Sequence, residues 1–272
     1  MTAGGAGSGP PRRGGVTFAV LGLGEAGGEM ARDLLASGAV VRAFDPRPDR
    51  PPPPGALPCR DEADASTGAD VVLSVNSAHD SLAALHSGVA GLLPGAVWAD
   101  LNTASPRLKR ELAASAAEAG RSFCDVALMS PVPGKGIRTP MLVSGPGAEA
   151  FAARMRPYGT PVEVVPGPAG AAAERKLLRS VFFKGMAAAV TEALAAARAA
   201  GLEPWMRNHL RAELEATGAD AVDRMERGSI VHARRRADEM AAAGELLDDL
   251  GVPALVCRAS EQWLRILQHG AG

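Results

Sequence analysis

Three glycines, Gly22, Gly24 and Gly27, stand directly after the apolar run Val16 to Leu21 and open a segment with helical apolar spacing at Met30, Leu34 and Leu35. A Gly-x-Gly-x-x-Gly set at a strand-to-helix junction restricts the chain to few folds, because each glycine has its own task. The first permits a tight turn, the second lets backbone approach a phosphate, and the third lets the helix pack on the strand. The helix start then presents unpaired N–H groups to an anion. Val40 to Phe44 follows as a second buried strand, and Asp45 ends it, 23 residues after Gly22, where a carboxylate can reach the hydroxyls of a ribose. Together these features predict a dinucleotide site built from Gly22, Leu23, Gly24, Glu25, Ala26, Gly27 and Asp45. The alternative is a nucleotide-free α/β scaffold, since chance glycine loops are common in a chain with 32 glycines.

The same alternation continues. Val71 to Val75, Ala96 to Leu101, Ser122 to Val126 and Met141 to Val143 read as strands, and Ser81 to Leu93 and Pro106 to Gly120 as helices. This predicts an α/β domain over residues 16–165, a doubly wound parallel sheet of the Rossmann type. The pattern changes near Pro166. From about Ala169 to Ala200 only Ala, Leu and charged residues occur, a long helix stopped by Gly201, and everything after it is helical in pattern. Leu210 to Ala216 is one helix, and Ser229 is the expected N-cap of another that runs to Leu250 with Ile230, Ala237, Met240, Gly244 and Leu247 facing a core. Residues 166–272 are therefore expected to form an all-α domain, and residues 1–15, rich in Gly, Ala and Pro, a disordered tail.

At 272 residues and 47% hydrophobic content the chain is long enough for two cores. A net charge of −1 lacks the basic footprint that phosphate-backbone binding requires, so no nucleic-acid partner is expected. Cys59, Cys124 and Cys257 are odd in number and far apart, which predicts reduced thiols, no structural metal and a cytoplasmic location. Residues 1–15 lack the apolar core of a signal peptide, and Glu192 and Arg198 interrupt the Ala-rich run after Gly185, so a soluble chain without a membrane partner is expected. That run and a small C-terminal domain would expose more apolar surface than one copy can bury, which predicts a homodimer.

The run Gly22-Leu23-Gly24-Glu25-Ala26-Gly27-Gly28-Glu29-Met30-Ala31 resembles the first motif of the β-hydroxyacid dehydrogenase family, relatives of 6-phosphogluconate dehydrogenase, which reads Gly-Leu-Gly-x-Met-Gly-x-x-Met-Ala. Asp100-Leu101-Asn102-Thr103-Ala104-Ser105-Pro106 resembles the family's Asp-x-Ser-Thr-x-x-Pro, with Asn102 in place of the serine. The resemblance implies that Asn102 and Thr103 lie beside the nicotinamide and that Asn76 also meets the cofactor. Asp125 to Pro146 is similar to the family's substrate region, where Met129, Ser130 and Pro131 stand in place of a Ser-Gly-Gly clamp. The family's lysine, sixteen residues before a glutamate, falls on Lys176 before Glu192, and Ser180 replaces an asparagine one turn on. Gly228-Ser229 and Arg235 to Met240 resemble a subgroup with a short, uncharacterised helical C-terminal domain.

The resemblance implies an NAD(P)-dependent dehydrogenase or reductase acting on a small hydroxy or keto compound, with Lys176 as general acid/base and Thr103 and Ser180 beside it. From spacing alone Lys176 is a solvated helix lysine. Lys184, eight residues on, is either a substrate contact or a surface charge, and Phe182 and Phe183 are either core or substrate wall. His232, Arg235, Arg236 and Glu239 read as a solvated face or as an anion site. Asp45 slightly favours NAD, whereas Arg47 and Arg50, in the Pro-rich loop after it, would suit the 2′-phosphate of NADP. Two rivals stand beside this reading. Imine reductases share the architecture and usually lack the lysine, and a non-catalytic dinucleotide-binding module needs no lysine at all.

Overall fold

The computed structural model describes residues 15–270, so the predicted tail lies outside the described residues except for Gly15. Thr17–Leu21 forms β1, Glu25–Ala36 α1 and Val40–Phe44 β2, with β1 and β2 parallel, as the glycine set requires. Leu57–Pro58 (β3) and the single-turn helix Glu62–Ser66 (α2) follow the proline run. Val71–Ser74 (β4), Ser81–Gly88 (α3), Val97–Asp100 (β5), Pro106–Glu118 (α4) and Ser122–Leu128 (β6) continue the winding. Met141–Ser144 (β7), Ala148–Met155 (α5) and Val162–Val164 (β8) complete a sheet of order β3-β2-β1-β4-β5-β6-β7-β8.

Strand residues alternate between two apolar layers, because both faces of a wound sheet are covered. Phe18 and Val20 join Met30, Leu34, Val97 and Phe151 on one side. Ala19 and Leu21 join Val72, Trp98, Leu112 and Phe123 on the other.

The sheet is not parallel throughout, which corrects the expectation from sequence: β7 runs antiparallel to β6. Parallel pairing needs a covering crossover, usually a helix. Between Leu128 and Met141 the chain forms only the 3-10 turn Gly136–Arg138, so it returns along the strand it left. A true crossover, α5, precedes β8, which pairs parallel with β7.

Ala171–Ala199 forms α6, entered through Gly170 and left through Gly201, both at positive φ. It is the one helix among the described residues long and apolar enough, by length and composition, to cross a membrane, although it carries Glu174, Arg175, Lys176, Arg179, Lys184, Glu192 and Arg198. The chain divides within it into two compact units, residues 1–179 and 180–272.

The second unit contains the rest of α6 with Glu203–Glu215 (α7), Ala221–Val231 (α8), Ala233–Asp249 (α9) and Leu255–Gly270 (α10). Ala237, Gly244 and Leu247 are buried here, as the stripe predicts. Ser229 is not the N-cap expected for that helix. It lies inside α8, and its hydroxyl accepts a hydrogen bond from Arg236 Nη1 at 2.9 Å, while His232 takes the cap position between α8 and α9. Ile230 consequently falls on the preceding helix and is exposed.

Candidate functional site

The glycine loop is fixed by what a side chain would strike. Gly22 has φ +93°, and a Cβ there would meet Val75 O at 2.6 Å; a Cβ on Gly27 would overlap Gly22 O outright. Gly24 is the N-cap of α1 and brings no side chain, so no side-chain acceptor closes the helix start, the arrangement that receives a phosphate. Beside the loop a crevice of about 230 Å³ is lined by Gly22, Phe44, Pro46, Asn76, Asp80 and Ser87, where β1, β2 and β4 end. This is where the winding reverses direction, the usual ligand position of such sheets.

Asp45 is 3% exposed at its side chain and serves the loop itself. Its carboxylate accepts from Leu23 N at 2.6 Å and from Arg47 N at 2.9 Å. The Arg47 guanidinium turns away to Asp49. Arg50 approaches instead: its Nη1 lies 3.8 Å from Asp45 Oδ2 and is the atom a Cβ on Gly24 would meet.

A second group of residues gathers at the end of β5. Asn102 is buried, and its Nδ2 donates to Asp100 Oδ2 and Asn76 Oδ1, each at 2.8 Å. The donors are thereby engaged, so what Asn102 offers a ligand is the acceptor Oδ1. Lys176, in the second turn of α6, donates from Nζ to Thr103 Oγ1 at 2.8 Å, and both line a small pocket with Asn102, Val126 and Ala173. Ser105 caps α4 through Leu108 N, and Pro106 follows at the first helical position, which fixes how the Asn102–Thr103 loop leaves the sheet.

The other residues singled out from sequence are more dispersed. Met129 packs against Ala127, Val165 and Ala172, under the start of α6. Ser130 and Pro131 open the β6–β7 loop, where Ser130 Oγ accepts from Lys135 Nζ at 3.2 Å. Ser180 and Lys184 lie about one and two turns beyond Lys176, in the second unit, and Lys184 is exposed. Glu192 caps another helix of that unit: its carboxylate accepts from Val256 N at 2.7 Å and Cys257 N at 2.9 Å. Cys124 is pushed well above the ordinary thiol value by burial and then by Asp125, so it is unreactive. Sequence reasoning did not single out Lys135 or the buried Lys109, because neither position carries a signal before its partners are known.

Residues 17–153 match the model of the NAD binding domain of 6-phosphogluconate dehydrogenase. The chain belongs to that family. Residues 197–267 also match a domain of unknown function, DUF1932, which agrees with the subgroup suggested by Gly228-Ser229 and Arg235 to Met240. A 3-hydroxyisobutyrate dehydrogenase of Pseudomonas aeruginosa is 32% identical over 198 residues, covering 69% of this chain and 66% of that protein. An NAD-dependent L-serine dehydrogenase of the same organism is 30% identical over 196 residues, covering 68% and 65%. The match thus spans slightly less than two thirds of each relative. The imine reductase of Myxococcus stipitatus in complex with NADP+ shares the fold at TM-score 0.79 and 21% identity, over 93% of this chain and 95% of that one.

Proposed function

We propose that this protein is a cytoplasmic NAD(P)-dependent dehydrogenase or reductase acting on a small hydroxy or keto compound, with Lys176 as its general acid/base. The observation that carries the reading is the hydrogen bond from Lys176 to Thr103, which places a cation beside the Asn102 loop of a dinucleotide-binding family member. Asn102 Oδ1 is an acceptor suited to the carboxamide of the cofactor. The glycine loop and Asn102 would hold a nicotinamide dinucleotide, which would supply or accept the hydride. Lys176 gives its Nζ proton to the substrate oxygen as a carbonyl is reduced and takes it back as a hydroxyl is oxidised. The relatives named for 3-hydroxyisobutyrate and L-serine support a short hydroxy acid as substrate, and Met129, Ser130 and Pro131 would give its site a different wall.

The kept lysine favours this reading over imine reduction, where the substrate nitrogen rather than an oxygen would need a proton. It also weighs against a module that only binds the dinucleotide. Absorbance of the reduced cofactor, followed with a panel of short 3-hydroxy acids, 3-keto acids and cyclic imines, separates the three. Turnover of imines alone would overturn the assignment to oxygen substrates, and turnover of none would favour the binding module.

We further propose that two copies associate through the second unit. Val181 and Phe182 on α6 are 75% and 53% exposed, and Trp205, Leu246, Trp263 and Ile266 are likewise left to solvent. An apolar groove of about 570 Å³ runs beside Ala196, Ala197, Met206 and Leu247. Surfaces of this kind on a unit of so few residues mark an association face.

A further inference from the structure

Lys109 sits three residues into α4 and is 1% exposed, an unusual place for an ammonium. Its Nζ donates to Asp100 Oδ1 at 2.6 Å and to the Asp100 carbonyl at 2.7 Å. It also lies 3.2 Å from Asp125 Oδ1, an oxygen with no hydrogen bond of its own that depends on this ion pair. Asp100 and Asp125 are register partners on β5 and β6, so two buried carboxylates stand side by side and need a cation between them.

The other oxygens of the same carboxylates bind different elements. Asp100 Oδ2 accepts from Asn102 Nδ2 at 2.8 Å. Asp125 Oδ2 accepts from Gly170 N and Ala173 N, each at 3.0 Å, and from Ser144 Oγ at 3.2 Å, while Ser144 Oγ accepts from Ala172 N at 3.0 Å. One carboxylate therefore orients the Asn102 amide, and the other holds the orphan N–H groups at the start of α6, the helix that carries Lys176. Replacing such ion pairs by apolar side chains is often neutral for stability, so their benefit is better sought in fixed geometry.

We propose that Lys109 is a positioning residue for the nicotinamide end of the site, locking the Asn102–Thr103 loop and the first turn of α6 into one arrangement through Asp100 and Asp125. The inference rests on the dinucleotide reading above. Without Lys109 the carboxylates repel, Asn102 loses its fixed acceptor, and the nicotinamide end loosens. Among the described residues the glycine loop, whose Leu23 N donates to Asp45, makes no bond to Lys109, Asp100 or Asp125 and should keep its hold on the phosphates.

The test uses two ligands that differ in the nicotinamide: ADP-ribose, or its 2′-phosphate, and the corresponding reduced dinucleotide. Both are titrated against the wild type, Lys109→Met, Lys109→Arg, Asp100→Asn and the exposed control Arg110→Met, with circular dichroism recorded on each. The expected result is ADP-ribose binding within about twofold throughout, dinucleotide binding about tenfold weaker in Lys109→Met and Asp100→Asn, and partial recovery in Lys109→Arg. Should Lys109→Met fail to fold, Asp100→Asn decides, since it leaves Lys109 paired with Asp125. Equal weakening of both ligands, or unchanged dinucleotide binding in Asp100→Asn, overturns the inference and leaves Lys109 as core. A wild type that does not bind ADP-ribose removes the dinucleotide reading itself, and the inference with it.

Discussion

The Lys176 ammonium and the Thr103 hydroxyl meet at 2.8 Å although 73 residues separate them in the chain. Lys176→Met keeps most of the length of the side chain and removes the ammonium. With an oxygen substrate, kcat should fall at least about a hundredfold, the usual contribution of a general acid/base group. Dinucleotide affinity should hold, because the glycine loop is formed by other residues. Lys184→Met, at an exposed position two turns on, should cost much less. Steady-state kinetics decide, and a larger loss at Lys184 would move the catalytic role along the helix.

Arg50 reaches toward Asp45 while the Arg47 guanidinium meets Asp49, so Arg50 is the arginine expected to tell the two cofactors apart. Arg50→Ala should weaken NADPH binding by roughly tenfold or more, as loss of a charge-assisted contact to a phosphate would. NADH should be affected far less, and Arg47→Ala should be close to neutral because that guanidinium faces Asp49. Fluorescence titration of both reduced cofactors checks this. Equal losses for the two cofactors would place Arg50 on the shared pyrophosphate.

At Gly27 a single methyl group has nowhere to go, since it would overlap Gly22 O. Gly27→Ala should abolish dinucleotide binding and lower stability by about 1 to 3 kcal/mol, the range for overpacking. Gly38→Ala is an informative contrast. It meets nothing within 4 Å and carries only the cost of its φ of +82°, so cofactor affinity should survive there.

Glu192 links acidity to the stability of the second unit. Burial, the largest influence, would raise its pKa, but the Val256 and Cys257 N–H groups outweigh it and leave the carboxyl below its ordinary 4.5. A group depressed in the folded state contributes fully above its unfolded pKa, and that contribution is lost as pH falls through the folded value. Glu192→Gln should therefore cost about 1 kcal/mol near neutral pH, as loss of a helix cap does, and the difference from wild type should shrink as the pH falls below 4.5. Thermal melts across pH measure it. A constant difference would show that the cap does not depend on charge.

Association through α6 and its neighbours predicts a dimer at micromolar concentration by light scattering. Phe182→Glu together with Val181→Asp should yield a folded species of half that mass. A wild type that is already monomeric excludes the association.

Elements with strong local periodicity were legible in the sequence. Val40–Phe44 has the bounds that its apolar run suggests, and α6 stops where Gly201 permits a left-handed turn. Asn102, Thr103 and Lys176, singled out from two separate stretches of resemblance, line one small pocket. The remainder depends on partners far along the chain. Lys109 stands in Pro106-Arg107-Leu108-Lys109-Arg110, which reads as an ordinary charged helix start, and only Asp100 and Asp125 reveal it as buried. Ser229 looks like a cap because serine favours caps, yet Arg236 claims its hydroxyl within a continuing helix. The direction of β7 was hidden because short apolar runs look alike in parallel and antiparallel pairs; the length and content of the connecting loop decide.

The eight-stranded sheet ends on its two shortest members, β3 with two residues and β8 with three. A strand at a rim offers unpaired N–H and C=O groups to any passing chain, and short rims with a proline are a natural defence against such templating. Here one rim is Leu57 with Pro58, which has no N–H to donate, and the other places Glu163 at its centre. The nucleotide-binding half is thus closed to edge-to-edge aggregation by its own outline, so precipitation on heating should begin with the exposed apolar helices of the other half.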